Sequence, residues 1–270
     1  MEFALKVATS FLVGGAYVAL VTYVSEHINP RLGGVLAGLP STALVGLIFI
    51  ALTQNSAASV KAGVAIPAGF GFTVLLVALY VNLREHHSIT NAIAKAIGLW
   101  LVLAVLVFGL LPKSLLLATI VFVTCFLIAV FSLEKVKVES SKRVPITAQE
   151  SLTRALVAGI LIAIAVILAK VLGAFIGGIV ASFPVVVISS LTILDYKRGK
   201  NLMTSTAKTM PFGSFGTVAF LVGFHFLVPN LGLLVGSILS YGVSIVFAVI
   251  TLQVRLQVVS NNKLGSITPA

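Results

Sequence analysis

Residues 33–40 read GGVLAGLP, and residues 177–184 read GGIVASFP. The octapeptides lie 144 residues apart, and each closes on a proline seven positions after its first glycine. Carried on at the same offset without a gap, Leu47 meets Leu191, Pro67 meets Pro211, Gly69 meets Gly213, and Thr73-Val74 meets Thr217-Val218. Apolar stretches match at scattered positions by chance, but chance does not place two prolines at equal spacing in the same glycine context. The chain is therefore read as a duplication.

The residues around these segments name the solvent. Of 270 residues, 59% are apolar and 9% charged, with a mean hydropathy of +1.16. A water-soluble domain carries about 25% charged residues, so this chain has too few polar groups to cover a surface in water. That excludes a soluble enzyme, a disordered tail and a secreted disulfide scaffold. The lone Cys125 cannot form a disulfide within the chain and reads as a small buried hydrophobe. No HExxH, P-loop or GxSxG pattern occurs, and no cluster of metal-ligand spacing. The expectation is no enzyme, no cofactor and no metal.

A bilayer core about 30 Å thick asks for about 20 apolar residues per helix. Such runs lie near 4–24, 33–53, 62–82, 92–111, 114–132, 152–172, 175–194, 210–228 and 231–255. The fold class is an all-α polytopic membrane protein with about nine transmembrane helices. The first run lacks a small-residue cleavage site and is expected to remain as the first helix. Asn29-Pro30, Pro112 and Pro229-Asn230 supply turns between runs. The expected organisation is a four-helix repeat over 1–112, a connector helix over 113–133, a polar linker over 134–151, a second four-helix repeat over 152–257 and a tail over 258–270.

An odd number of crossings separates the two repeat starts, so the second copy enters the membrane from the opposite side. Charge tests this independently. With the N-terminus outside, only Lys6, Lys61, Lys113 and Lys170 of the 18 Lys and Arg fall outside, and the remaining 14 fall inside. That split follows the positive-inside rule and sets the C-terminus in the cytoplasm of a plasma-membrane protein. The net charge of +11 is then an orientation signal, not a nucleic-acid footprint. The basic cytoplasmic loops can also hold anionic lipid head groups.

Inverted repeats recur in secondary transporters, whose sites lie near the midplane where corresponding helices are broken by Gly or Pro. The corresponding interruptions here place Gly38, Pro40, Ser41 and Thr42 opposite Ser182, Pro184, Ser189 and Ser190 as candidate substrate-binding residues. Proline removes a backbone donor and frees a carbonyl, which inside a membrane must find a partner or line a wet cavity. Pro67 and Pro211 lie nearer helix starts, where proline is tolerated. No Asp or Glu lies mid-span, since Asp195, the chain's single Asp, sits at a helix end. Hydroxyls remain, and these with half-helix N-termini suit a neutral or anionic solute. Close helix packing is the other role open to the glycines.

The stretch GGIVASFPVVVISSLTIL, the basic loop after it and MPFGSFGTVAFLV resemble small four-helix membrane proteins of the GlpM-like kind. There a glycine-containing helix with a Phe-Pro step precedes a charged loop and another apolar helix. The first half departs in reading Leu39-Pro40. The resemblance implies a duplicated four-helix unit and a link to exopolysaccharide production, with no catalytic residue. Three functions stand open: a small transporter or permease, a lipid or polyprenyl-carrier translocase, and a scaffold subunit that transports nothing.

Overall fold

A computed structural model of the chain describes residues 2–27, 40–110, 114–136 and 147–265. Every regular element among them is an α-helix: α1 (Glu2–His27), α2 (Ser41–Thr53), α3 (Ser56–Leu83), α4 (Ile89–Leu110), α5 (Leu115–Glu134), α6 (Ala148–Val171), α7 (Ala174–Ala181), α8 (Val185–Arg198), α9 (Lys200–Ala207), α10 (Met210–Leu231) and α11 (Leu233–Gly265). Eight helical segments are long and apolar enough to cross a membrane, counting α7–α8 and α9–α10 as one each, and α2 is a shorter apolar helix. The protein is multi-pass. Large apolar side chains such as Leu116, Ile120, Leu127 and Phe131 of α5 point away from the bundle, the arrangement expected where lipid is the solvent.

Three expectations are corrected in detail. The third span begins at Ser56, capped by the Asn55 side chain, which accepts from the Ala58 N–H at 2.8 Å. Pro67 is therefore interior to α3, not near its start. The seventh span divides at Ser182–Pro184, at the interruption expected from the sequence. The basic loop after it contains α9. The turn between the last two helices is made by Gly232 at φ +79°, while Pro229 stays inside α10. Only a residue without a Cβ takes that left-handed angle freely, so glycine outranks the Pro-Asn pair as the chain reverser.

Inversion is visible where α1 crosses α6. A Cβ on Gly15 would meet the Ala155 carbonyl oxygen at 2.9 Å, and one on Gly159 would meet the Phe11 carbonyl oxygen at 2.6 Å. Shifting 15 and 11 by 144 gives 159 and 155, so the contact maps onto itself when the halves are exchanged. That is the self-complementary signature of a two-fold axis. Farther along, the Lys170 ammonium lies 3.7 Å from the centre of the Phe3 ring. Partner numbers rise on α6 as they fall on α1, so the helices are antiparallel.

The two halves also bury the same positions. Leu47 and Leu191 are wholly buried, as are Leu76 and Phe220, and Thr73 matches Thr217 in the interior. In each half the start of the first helix is tied to the end of the helix that opens on the proline, α1 to α2 and α6 to α8. Lys6 donates to the Leu52 carbonyl at 3.0 Å, and at the equivalent place Glu150 takes Lys197 at 2.5 Å. Glu150 also forms a capping box with Thr147, satisfying two orphan donors of α6.

Helix α3 is the pillar of the bundle. Its small residues let neighbours approach closely, the usual basis of helix association in membranes. Gly71 admits the Phe122 backbone of α5, and Ser59 donates to the Leu47 carbonyl of α2 at 2.6 Å. Asn82 reaches Ser132 of α5 at 2.9 Å, so the connector helix is fastened to the first repeat.

Candidate functional site

Proline opens α2 and α8 in the same way. Pro40 caps α2 at φ −76°, ψ 56°, and Pro184 caps α8 at φ −85°, ψ 52°. Behind each, the first helical bond closes identically: Leu44 N–H to the Pro40 carbonyl and Ile188 N–H to the Pro184 carbonyl, both at 2.8 Å. Lacking an N–H and fixed in φ, proline cannot continue the preceding turn but is preset to begin a new one. Helices α2 and α8 thus start at equivalent points in inverted halves.

The break between α7 and α8 is packed into the middle of the bundle. Across the Ala174–Ala181 helix, Gly178 lies against the Ala62 backbone of α3 and Gly177 against Ala165 and Ala169 of α6. At its end Ser182 fills the space beside Gly69, where a Cβ has no room. Trp100 of α4 completes the wall. Its indole N–H reaches the Gly69 carbonyl and the Thr73 hydroxyl, each at 3.3 Å, and its ring meets Phe183 edge-on at 5.0 Å. Gly46 of α2 faces Ala181, so α2 of the first repeat and α7 of the second meet there.

The candidate residues therefore sit as follows. Pro40 and Pro184 are buried caps, Ser182 and Ser190 are buried, and Ser41, Thr42 and Ser189 are half-buried. Gly38 lies outside the described residues. Several hydroxyls are turned back into their own helices. Ser182 donates to the Ile179 carbonyl at 2.6 Å, Ser189 to Val186 at 3.0 Å and Thr73 to Gly69 at 3.0 Å. In this conformation they satisfy the backbone.

A cluster that sequence reasoning did not place in the site lies at the far end of α8. Asp195 is buried and accepts the Tyr80 hydroxyl at 2.7 Å. The same oxygen takes Arg84 Nε, and Arg84 Nη2 reaches the other at 3.2 Å. Arg84 Nη1 donates to the His87 carbonyl. The hydrogen bond that Arg84 donates to Asp195 raises the Arg84 pKa further, against the opposing effect of burial. The available signal was that the chain's single Asp was kept at a helix end. Its partner could not be found without the fold, because 111 residues separate the two.

One apolar groove opens sideways between α2 and α11. It holds about 490 Å³ and is lined by Leu44, Ile48, Leu52, Leu233, Leu234, Ser237, Ile238 and Tyr241. Leu44 is the residue whose N–H closes the first bond after Pro40, so the groove begins at the start of α2. Tyr241 also shares a hydrogen bond with Tyr17 at 2.9 Å.

Residues 7–112 match the family described as "Protein of unknown function (DUF3147)", and residues 151–261 match it again. The two matches begin 144 residues apart and together take in most of the chain. The chain belongs to that family and carries its unit twice. Neither a curated protein nor a solved structure matches it.

Proposed function

We propose that this protein, two copies of one family unit packed as inverted halves, is a small transporter or permease for a neutral or anionic solute. The solute passes along the helix breaks between the repeats. The observation that carries this reading is the pair of proline caps: equivalent in position, alike in backbone angles, and each opening a helix. Helix N-termini present unsatisfied N–H groups and a partial positive charge, which suit anions and polar solutes. Rocking of one repeat against the other then opens the packed centre to alternate sides.

The expected orientation puts the end bearing Arg84, Lys95, Lys197, Arg198, Lys200 and Lys208 in the cytoplasm of a plasma-membrane protein, where anionic head groups are its partners. The likeness of its segments to GlpM-like proteins fits a doubled four-helix unit. No residue is assigned a catalytic role.

Proteoliposomes test the reading. Small neutral polyols are followed by light scattering and inorganic anions by dye quenching. The double variant Pro40→Ala, Pro184→Ala is expected to elute as the native protein and to lose about tenfold or more of the flux, since each tenfold costs about 1.4 kcal/mol of barrier. Full retained flux overturns the reading.

A second reading, translocation of a lipid or polyprenyl carrier, is favoured by the apolar groove that begins at Leu44. In vesicles holding a head-group-labelled lipid, chemical bleaching from outside destroys half the signal unless the lipid crosses. Bleaching beyond half that Leu44→Trp slows supports this reading, and bleaching that stops at half removes it.

A further inference from the structure

We propose that Tyr80, Arg84 and Asp195 form a latch that holds their end of the bundle shut, while the equivalent positions at the opposite end are apolar. The proposal rests on the transport reading and names what regulates that path.

Two ion pairs stay within one repeat: Glu2 with Lys6 inside α1, and Glu150 with Lys197 between α6 and α8. Arg84 with Asp195 is different, because it crosses from α3 of the first repeat to α8 of the second. These helices scarcely approach each other backbone to backbone. Long side chains span the interval, and Asp195 sits at its centre with 1% of its side chain exposed. Both of its oxygens are engaged.

Exchanging the halves by the 144-residue offset turns Tyr80 into Phe224, Arg84 into Val228 and Asp195 into Ala51. All three are buried. Val228 lies under Gly236 of α11, where no Cβ fits. One end of an otherwise repeated frame thus carries an ionic lock, and the other apolar residues.

The chemistry suits reversible opening. A buried ion pair lasts while water is kept out, and its Coulomb gain is set against a large desolvation cost. When the end opens, both partners hydrate, and an exposed pair is worth very little. The pair therefore resists partial wetting and releases once wetting is complete. Leu191 lies one turn from Asp195 toward the Pro184 break and is wholly buried, so it stands directly behind the latch.

The test labels a single cysteine in the full-length protein with a membrane-impermeant maleimide. The native thiol is removed by Cys125→Ala, and Leu191→Cys supplies the reporter. A latch keeps the open form a minor population, so Asp195→Asn is expected to speed labelling about tenfold, while the conservative Asp195→Glu stays within about threefold of the parent. A second reporter, Ile50→Cys, sits wholly buried in the opposite half and is expected not to change. Unchanged labelling behind Asp195→Asn overturns the latch, and so does an equal rise at both reporters, which signals general loosening. If Asp195→Asn does not fold, Tyr80→Phe is the milder probe, and its failure to speed labelling overturns the proposal as well. Labelling needs no substrate. Faster labelling without any solute flux therefore supports the latch and overturns the transport reading.

Discussion

Gly178→Ala is expected to destabilise the detergent-solubilised protein by about 3 kcal/mol, the upper part of the usual range for overpacking a core. The new methyl group is directed into the Ala62 carbonyl oxygen of α3. The obstacle is backbone, in the most enclosed helix of the bundle, so it cannot be relieved by turning a side chain. Relief requires α7 to move away from α3. That displaces Ser182 from Gly69 and the Phe183 ring from Trp100. Both a lower melting temperature and a broader elution profile are expected. Gly98→Ala is the matched control, since a Cβ there meets nothing within 4 Å. Its melting temperature is expected to stay at or slightly above that of the parent, because alanine is the better helix former. A Gly178→Ala protein as stable as the parent would mean that α7 and α3 do not pack as described.

Asp195→Ala is the second large effect, with an expected loss of about 3–5 kcal/mol. The loss comes less from the missing attraction than from what remains. Arg84 keeps its charge with 18% of its side chain exposed, and the Tyr80 hydroxyl loses its acceptor. Leaving a buried polar group unsatisfied costs about 1–3 kcal/mol by itself. The same logic predicts that the triple replacement Tyr80→Phe, Arg84→Met, Asp195→Leu regains most of the stability, because well-packed apolar groups can replace a buried pair at little cost. Thermal melts of the single and combined variants measure the coupling directly. Additive losses would show that the three side chains do not act as one cluster.

These variants probe regions that differ in how far they could be read from residues alone. The repeat was legible because GGVLAGLP and GGIVASFP share the constraint that starts a new helix. Proline acts locally through its own φ and its missing N–H, so the matching caps at Pro40 and Pro184 follow from two residues. Inversion was legible because an odd span count and the cation bias act at the level of whole segments. Helix limits were less legible. In an apolar chain hydropathy changes little at the ends, and α3 begins six residues before its expected start, where Asn55 supplies a cap.

The candidate site was legible in part. Ser182 and Pro184 are at the break between α7 and α8, and Pro40 opens α2. What closes the break was not legible. Trp100 reads as one more apolar residue until α4 packs on α3 and turns its N–H toward Gly69 and Thr73. Hydroxyls such as Ser189 look available in a sequence, yet bond to the preceding turn of their own helix. In a low-dielectric interior that choice satisfies a donor that water cannot reach.

Composition and local backbone chemistry set the solvent, the repeat, the inversion and the places where prolines open helices. Each follows from composition or from backbone chemistry confined to a few neighbouring residues. Only the tertiary structure decided which residues face each other at those places. It joined Arg84 to Asp195, seated Ser182 on Gly69, and left a groove between α2 and α11. These are contacts between distant segments, set by how closely small residues let helices approach, and no local signal carries them.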